Sequence, residues 1–84
     1  MSYVIQILPR AERQLAALEK NAYEIIKSKI ASFADNPRPP GCHKLKDRPG
    51  WRIRAGDYRI LYDIDDGVRI VAILEVGHRR EIYR

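Results

Sequence analysis

The chain has 84 residues, 45% of them hydrophobic, and a formal net charge of +5 at pH 7. This length allows one domain with a thin core, and the apolar content excludes a disordered chain. The basic balance favours a polyanionic partner, either nucleic acid or an acidic protein. We expect residues 1–84 to form a single domain with a shallow surface site, which suits a polymer better than an enclosed small molecule.

Cysteine content and hydropathy limit the class of protein further. Cys42 is the only cysteine, which rules out an internal disulfide and fits a reducing compartment. Cys42 and His43 adjoin, but no other ligand pair stands at metal-site spacing, so we predict no metal site and no cofactor. No apolar run approaches the roughly 20 residues that a bilayer requires. We therefore expect a cytoplasmic protein without a membrane partner.

The first half of the chain predicts one strand and two helices. Residues 2–8 have the pattern of a strand, which Pro9 stops, and this proline can occupy the first turn of a helix. Apolar residues then recur at helical spacing and predict a first helix of about three turns. Asn21, with Glu24 three residues later, resembles a capping box and predicts a second helix that ends at about Asp35.

The second half predicts a sheet. After a proline-rich connector, three strand patterns follow at residues 51–54, 58–64 and 68–76. Asp66-Gly67 is a hairpin signal, because glycine accepts the positive φ of a tight turn. The last strand is apolar on both faces, which predicts a central position. The order β-α-α-β-β-β indicates an α+β fold, with a helical hairpin packed on a small antiparallel sheet of about four strands.

Basic residues are concentrated on the predicted strands. Arg52 and Arg54 are two residues apart and share a face. Arg59 lies near the paired end of the next strand, but whether its side chain joins them depends on a register that the sequence leaves open. Arg79 and Tyr83 follow the last strand. Such a group can clamp phosphate bidentately, or it can be a solvated sheet face whose charge prevents aggregation.

Four other side chains each have two interpretations. His78 is either a proton carrier or a surface residue at a strand end. Tyr83 either acts in the site, by stacking on a base or donating a proton, or fills the core. Lys44 and Lys46 either extend a basic binding face or lie in a solvated loop.

The chain resembles the RelE/ParE superfamily of bacterial toxins, and within it the RelE branch. The resemblance extends over almost the whole chain and is carried by the segments 43–46, 51–62 and 76–83, which include W-R-I-R, G-D-Y-R-I-L-Y and a closing G-H-R-R-E-I-Y. It implies a compact α+β fold, an mRNA substrate cut in the ribosomal A site beside 16S rRNA, and a RelB-like antitoxin that inhibits the toxin.

The resemblance also implies roles for individual residues. The catalytic positions of the family correspond to Arg52, Arg54, Arg59, Arg79 and Tyr83. Lys46 falls on a further basic position, and we expect Lys44 and Lys46 to bind RNA.

One departure from the family pattern concerns the proton acceptor. Well-known members carry lysine at one or both of the positions filled here by Arg52 and Arg54, and arginine cannot serve as a general base. Either these arginines only stabilise charge, or His78 supplies the base, or catalysis is weak and the ribosome provides much of the positioning.

These observations predict the toxin of a type II toxin–antitoxin system, a metal-independent mRNA endonuclease that depends on the ribosome and inhibits translation. Its 2′-OH attack would leave a 2′,3′-cyclic phosphate and a 5′-hydroxyl. The alternative is a ParE-type inhibitor of DNA gyrase without nuclease activity. A third possibility is a member retained only for binding its antitoxin or operator.

Overall fold

The computed structural model describes residues 2–78 and residue 80. Its elements are β1 (Val4–Ile7), α1 (Pro9–Ala16), α2 (Lys20–Ser32), β2 (His43–Lys44), β3 (Trp51–Ala55), β4 (Tyr58–Asp65) and β5 (Ile70–His78). The predicted α+β fold is therefore confirmed, with one short strand, β2, added to the four that the sequence predicts. Over the described residues, neither helix is long and apolar enough to cross a membrane.

The five strands form one sheet in the order β1-β5-β4-β3-β2. β2, β3, β4 and β5 pair antiparallel, whereas β1 runs parallel to β5, with Val4 opposite Ile70 and Ile7 opposite Ile73. β5 lies between two strands, which agrees with its apolar character on both faces. The helices cover one face of the sheet, and we call the other face the open face.

The helix boundaries differ in part from the sequence prediction. α1 begins at Pro9 as predicted, but it spans 8 residues, or just over two turns. α2 begins one residue before Asn21, and the predicted cap at Asn21 is wrong. Its N-cap is Glu19, whose carboxylate accepts a hydrogen bond from the backbone N–H of Ala22 at 2.8 Å. A carboxylate here also interacts favourably with the positive end of the helix dipole.

The turn between β4 and β5 also corrects an expectation. The residue with positive φ is Arg69, at 59°, rather than Gly67. The Asp65 carboxylate shapes the turn by accepting hydrogen bonds from the backbone N–H groups of Gly67 and Val68, at 2.9 and 3.2 Å. In the turn between β3 and β4, by contrast, Gly56 does have a positive φ of 63°.

The core lies between the helices and the sheet. Its largest fully buried side chains are Tyr62, Phe33, Ile26, Ile60, Ile73, Val71 and Val76. Leu61 is also fully buried, but it lies opposite Arg52 on the open face. The rings of Phe33 and Tyr62 stack with centroids 4.2 Å apart. The Tyr62 hydroxyl donates to the carbonyl oxygen of Pro37 at 2.8 Å. This bond joins the centre of the sheet to the connector that leads into β2.

Candidate functional site

Three arginines come together on the open face. Arg54 and Arg59 are direct cross-strand partners in β3 and β4, and Arg52 is opposite Leu61 two pairs further along. Directly opposed residues of an antiparallel pair project to the same side of the sheet. The structure thus answers the question of register that the sequence left open, because Arg59 joins Arg52 and Arg54.

These arginines line a cleft of about 340 Å³, which we call the arginine cleft. Its lining residues are Gly41, His43, Arg52, Ile53, Arg54 and Arg59. His43 was not among the sequence-predicted site residues. It is opposite Arg52 in the short pairing between β2 and β3, which brings its exposed side chain to the arginine face. A strand of two residues has no periodicity by which the sequence could have revealed this.

A β-bulge in β5 decides which of its residues face the open side of the sheet. The register shifts between the pairs Leu61–Glu75 and Tyr62–Ile73, so Leu74 is the extra residue. With strict alternation, Glu75 would face the helices like Ile73. The bulge turns Glu75 to the open face and allows Val76 to be buried.

The same bulge separates His78 from the arginines. It places Gly77 opposite Arg59 and places His78 opposite Tyr58. The rings of His78 and Tyr58 meet edge to face at 5.6 Å, on the helix-covered side of the sheet. His78 Nδ1 accepts a hydrogen bond from the backbone N–H of Arg80 at 3.3 Å. His78, a predicted site residue, therefore lies on the opposite face of the sheet from Arg54 and Arg59.

Neither of the two predicted RNA-binding lysines lines the arginine cleft. Lys44 is opposite Trp51, on the other face of the sheet from Arg52, and its Nζ lies 5.5 Å from the centre of the Trp51 ring. The Arg38 guanidinium contacts the same ring at 5.2 Å. Lys46 is exposed in the loop after β2. The structure thus gives Lys44 a cation–π partner in the sheet. Arg79 and Tyr83 lie outside the described residues.

The loop over residues 45–50 packs against the open face. Arg48 reaches the Glu75 carboxylate at 3.4 Å, and Arg10 of α1 reaches the other carboxylate oxygen at 3.6 Å. Gly50 is buried with φ of 126°, and a Cβ there would lie 3.0 Å from the backbone oxygen of Tyr62 and 3.2 Å from the Leu45 side chain. The close approach of this loop therefore requires glycine.

A second polar group fixes the opposite end of the sheet. Asp66 accepts hydrogen bonds from Arg38, at 2.8 and 3.2 Å, and from the Tyr3 hydroxyl at 2.6 Å. The Arg38 guanidinium, followed by the Tyr3 hydroxyl, lowers the pKa of Asp66 to about 2. The Arg69 guanidinium covers the Tyr3 ring at 5.3 Å. These contacts join β1, the connector before β2 and the turn between β4 and β5.

Comparison with known proteins agrees with the fold and with the sequence segments. The family model described as the ParE toxin of the type II toxin–antitoxin system, parDE, matches residues 5–83. Toxin RelE of Mycobacterium tuberculosis is 34% identical over 84 residues, covering 98% of this chain and 87% of that protein. The mRNA interferase toxin RelE of Escherichia coli is 27% identical over 93 residues, covering 99% and 92%.

Solved structures of toxin–antitoxin complexes contain chains with the same fold. The toxin–antitoxin complex RelBE2 of M. tuberculosis contains a chain that superposes with a TM-score of 0.84 at 27% identity, covering 94% of this chain and 100% of that one. The intact RelBE complex of E. coli gives a TM-score of 0.78 at 26% identity, covering 92% and 96%.

Two helices on a five-stranded, mostly antiparallel sheet with an arginine-lined open face define a toxin-like α+β domain. The chain belongs to the RelE/ParE superfamily of toxins from type II toxin–antitoxin systems, and its relatives include proteins named RelE.

Proposed function

We propose that this chain is a cytoplasmic, ribosome-dependent mRNA endonuclease that inhibits translation. The observation that carries the proposal is the cross-strand pairing of Arg54 with Arg59, with Arg52 on the same face, in a cleft open enough to admit a polymer. The relative from E. coli that is named an mRNA interferase supports the same activity.

The grouping of arginines has an energetic cost that favours a function for it. Like charges directly opposite each other in a sheet destabilise the pair by roughly 0.2–1 kcal/mol. Arg54 and Arg59 are such a pair. A phosphate bound between them converts this repulsion into attraction, and each guanidinium fork matches two phosphate oxygens. The charge is thus useful when an anion is bound.

The chemistry needs little besides positioning and charge. RNA supplies its own nucleophile, the 2′-OH, which lies next to the phosphorus it attacks. Arg52, Arg54 and Arg59 would stabilise the extra negative charge of the pentacovalent phosphate, the role that fixed cations play in phosphoryl chemistry. Arg79 would hold a phosphoryl oxygen, and Tyr83 would stack on a base or protonate the 5′-oxygen. The products are a 2′,3′-cyclic phosphate and a 5′-hydroxyl.

We further propose a cognate RelB-like antitoxin as the inhibitory partner. The solved neighbours described as RelBE complexes support this, and so does the net charge of +5, which an acidic or amphipathic segment would complement. Lys44 and Lys46 would assist in binding mRNA or 16S rRNA, from outside the arginine cleft.

Primer extension on translating ribosomes tests the nuclease function. Wild-type protein should produce cuts within A-site codons, and Arg54→Gln should reduce the cutting rate by about 10²-fold, since one stabilising donor contributes on that scale. Arg13→Gln, which removes an exposed charge of α1, is the matched control and should cut at the wild-type rate. A combined Arg79→Ala and Tyr83→Phe variant that cuts normally would remove those two residues from the site.

The second candidate is inhibition of DNA gyrase, which the match to a ParE family model favours. A supercoiling assay distinguishes the two functions. Gyrase inhibition by wild-type protein, without cleavage of mRNA on ribosomes, would refute the nuclease function.

A further inference from the structure

The proposed reaction needs a group that accepts the proton of the 2′-OH. Arginine stays protonated at any pH at which proteins are folded, so Arg52, Arg54 and Arg59 can stabilise charge but cannot accept this proton. The acceptor must reach the scissile phosphate from the same side of the sheet. A role for such a group rests on the proposed nuclease function.

His43 meets this requirement of position. It is directly opposite Arg52 across β2 and β3, so its imidazole projects to the arginine face, and it lines the same cleft of about 340 Å³ as Arg54 and Arg59. Its side chain is exposed and therefore accessible to a polymer that lies across the sheet. Histidine is also the residue type whose side chain ordinarily changes its charge between pH 5 and 8.

The other titratable groups nearby are engaged or face elsewhere. His78 packs against Tyr58 on the helix-covered side, and its Nδ1 accepts the N–H of Arg80. Glu75 lies on the open face, but its carboxylate is paired with Arg48 and with a guanidinium of α1. Within the described part of the chain, the charged groups that line the cleft with His43 are its three arginines.

We infer that His43 is the general base of the reaction. The proton of the 2′-OH passes to an imidazole nitrogen of His43 as the 2′-oxygen forms a bond to phosphorus. The bond between phosphorus and the 5′-oxygen breaks, its electron pair stays on that oxygen, and the oxygen takes a proton from an acid or from water. His43 then releases its proton to solvent.

The test is single-turnover cleavage of mRNA on programmed ribosomes as a function of pH. His43→Gln should lower the maximal rate by about 10²–10⁴-fold, the usual contribution of a general base. It should also abolish the rise in rate with pH on the acidic limb. The KM for programmed ribosomes should change by less than about threefold, because the arginines that bind phosphate remain. Arg13→Gln should keep both the rate and the pH profile of the wild type.

Two further measurements separate a proton acceptor from a structural residue. His43→Ala should regain part of its rate when free imidazole is added, which a folding defect would not allow. An mRNA with sulfur in place of the bridging 5′-oxygen has a leaving group that needs no acid. His43→Gln should stay impaired on this substrate, since base catalysis is still missing.

Three results would overturn the inference. In the first, the wild type cuts and His43→Gln retains its rate and pH profile. In the second, the sulfur substrate restores the rate of His43→Gln, which would make His43 the acid. In the third, His78→Gln instead of His43→Gln loses the acidic limb. A wild type that leaves mRNA intact is a distinct outcome, because it refutes the nuclease function as well as the role of His43.

Discussion

The hydrogen bond from Tyr62 to Pro37 allows a quantitative prediction about stability. Tyr62 is 0% exposed, and burial, followed by the nearby Cys42 thiol, raises the pKa of its hydroxyl, which therefore stays protonated and donates. Tyr62→Phe keeps the ring that stacks on Phe33 but leaves the carbonyl of the buried Pro37 without this donor. An unsatisfied buried acceptor costs about 1–3 kcal/mol.

Taking about 2 kcal/mol, the expected fall in Tm is about 8–16 °C, since 1 kcal/mol corresponds to roughly 4–8 °C in a domain of this size. Thermal unfolding followed by circular dichroism measures it. Tyr23→Phe is the matched control, because Tyr23 is only half-buried and its hydroxyl makes no hydrogen bond within the described residues. A fall below about 2 °C for Tyr62→Phe, or an equal fall for Tyr23→Phe, would refute the reasoning.

Three other predictions concern stability and charge. In urea titration, Gly50→Ala should lower the free energy of unfolding by more than Gly56→Ala does. Both positions have positive φ, but only at Gly50 would the added Cβ lie 3.0 Å from a backbone atom. Equal losses of stability in the two variants would contradict this. The folded-state pKa of Asp66 lies below its unfolded value, so its carboxylate stabilises the fold above about pH 4 and this contribution is lost as pH falls to about 2. The Tm difference between wild type and Asp66→Asn should accordingly be present at pH 6 and absent near pH 2; a constant difference would argue against the pairing. Arg54→Gln should raise the free energy of unfolding by about 0.2–1 kcal/mol at low salt, because a like-charged pair is removed. It should also reduce by about 0.7 the slope of log binding constant against log salt concentration for single-stranded RNA. An unchanged slope would place Arg54 outside the phosphate contacts.

Most of the architecture could be predicted because its signals are local. Period-two alternation identified β3 and β4, and Pro9 identified the start of α1. The cap of α2 was assigned to Asn21 because asparagine is a favoured N-cap residue, whereas Glu19, two positions earlier, is of a type that is not. The positive φ at Arg69 was missed because hydrogen bonds accepted by the Asp65 carboxylate, rather than residue preference, set that turn.

From the sequence, site residues could be grouped within one strand but not across neighbouring strands. Arg52 and Arg54 could be paired from the sequence, but the position of Arg59 depended on cross-strand register. The bulge at Leu74 has no signal in an apolar run, and strict alternation would have placed His78 beside the arginines. His43 was missed for a similar reason, since its neighbour Arg52 is assigned by pairing between strands and not by spacing along the chain.

The parallel pairing of β1 with β5 has a consequence for how the chain folds during synthesis. Val4–Ile7 meets its partner only at Ile70–Ile73, so the first strand waits for almost the entire domain to be translated. β4 is likewise missing one of its two neighbours until β5 has left the ribosome. Such long-range contacts make folding slow and delay it until late in translation. The sheet of a nascent chain therefore stays incomplete until Ile70–Ile73 has emerged from the ribosome.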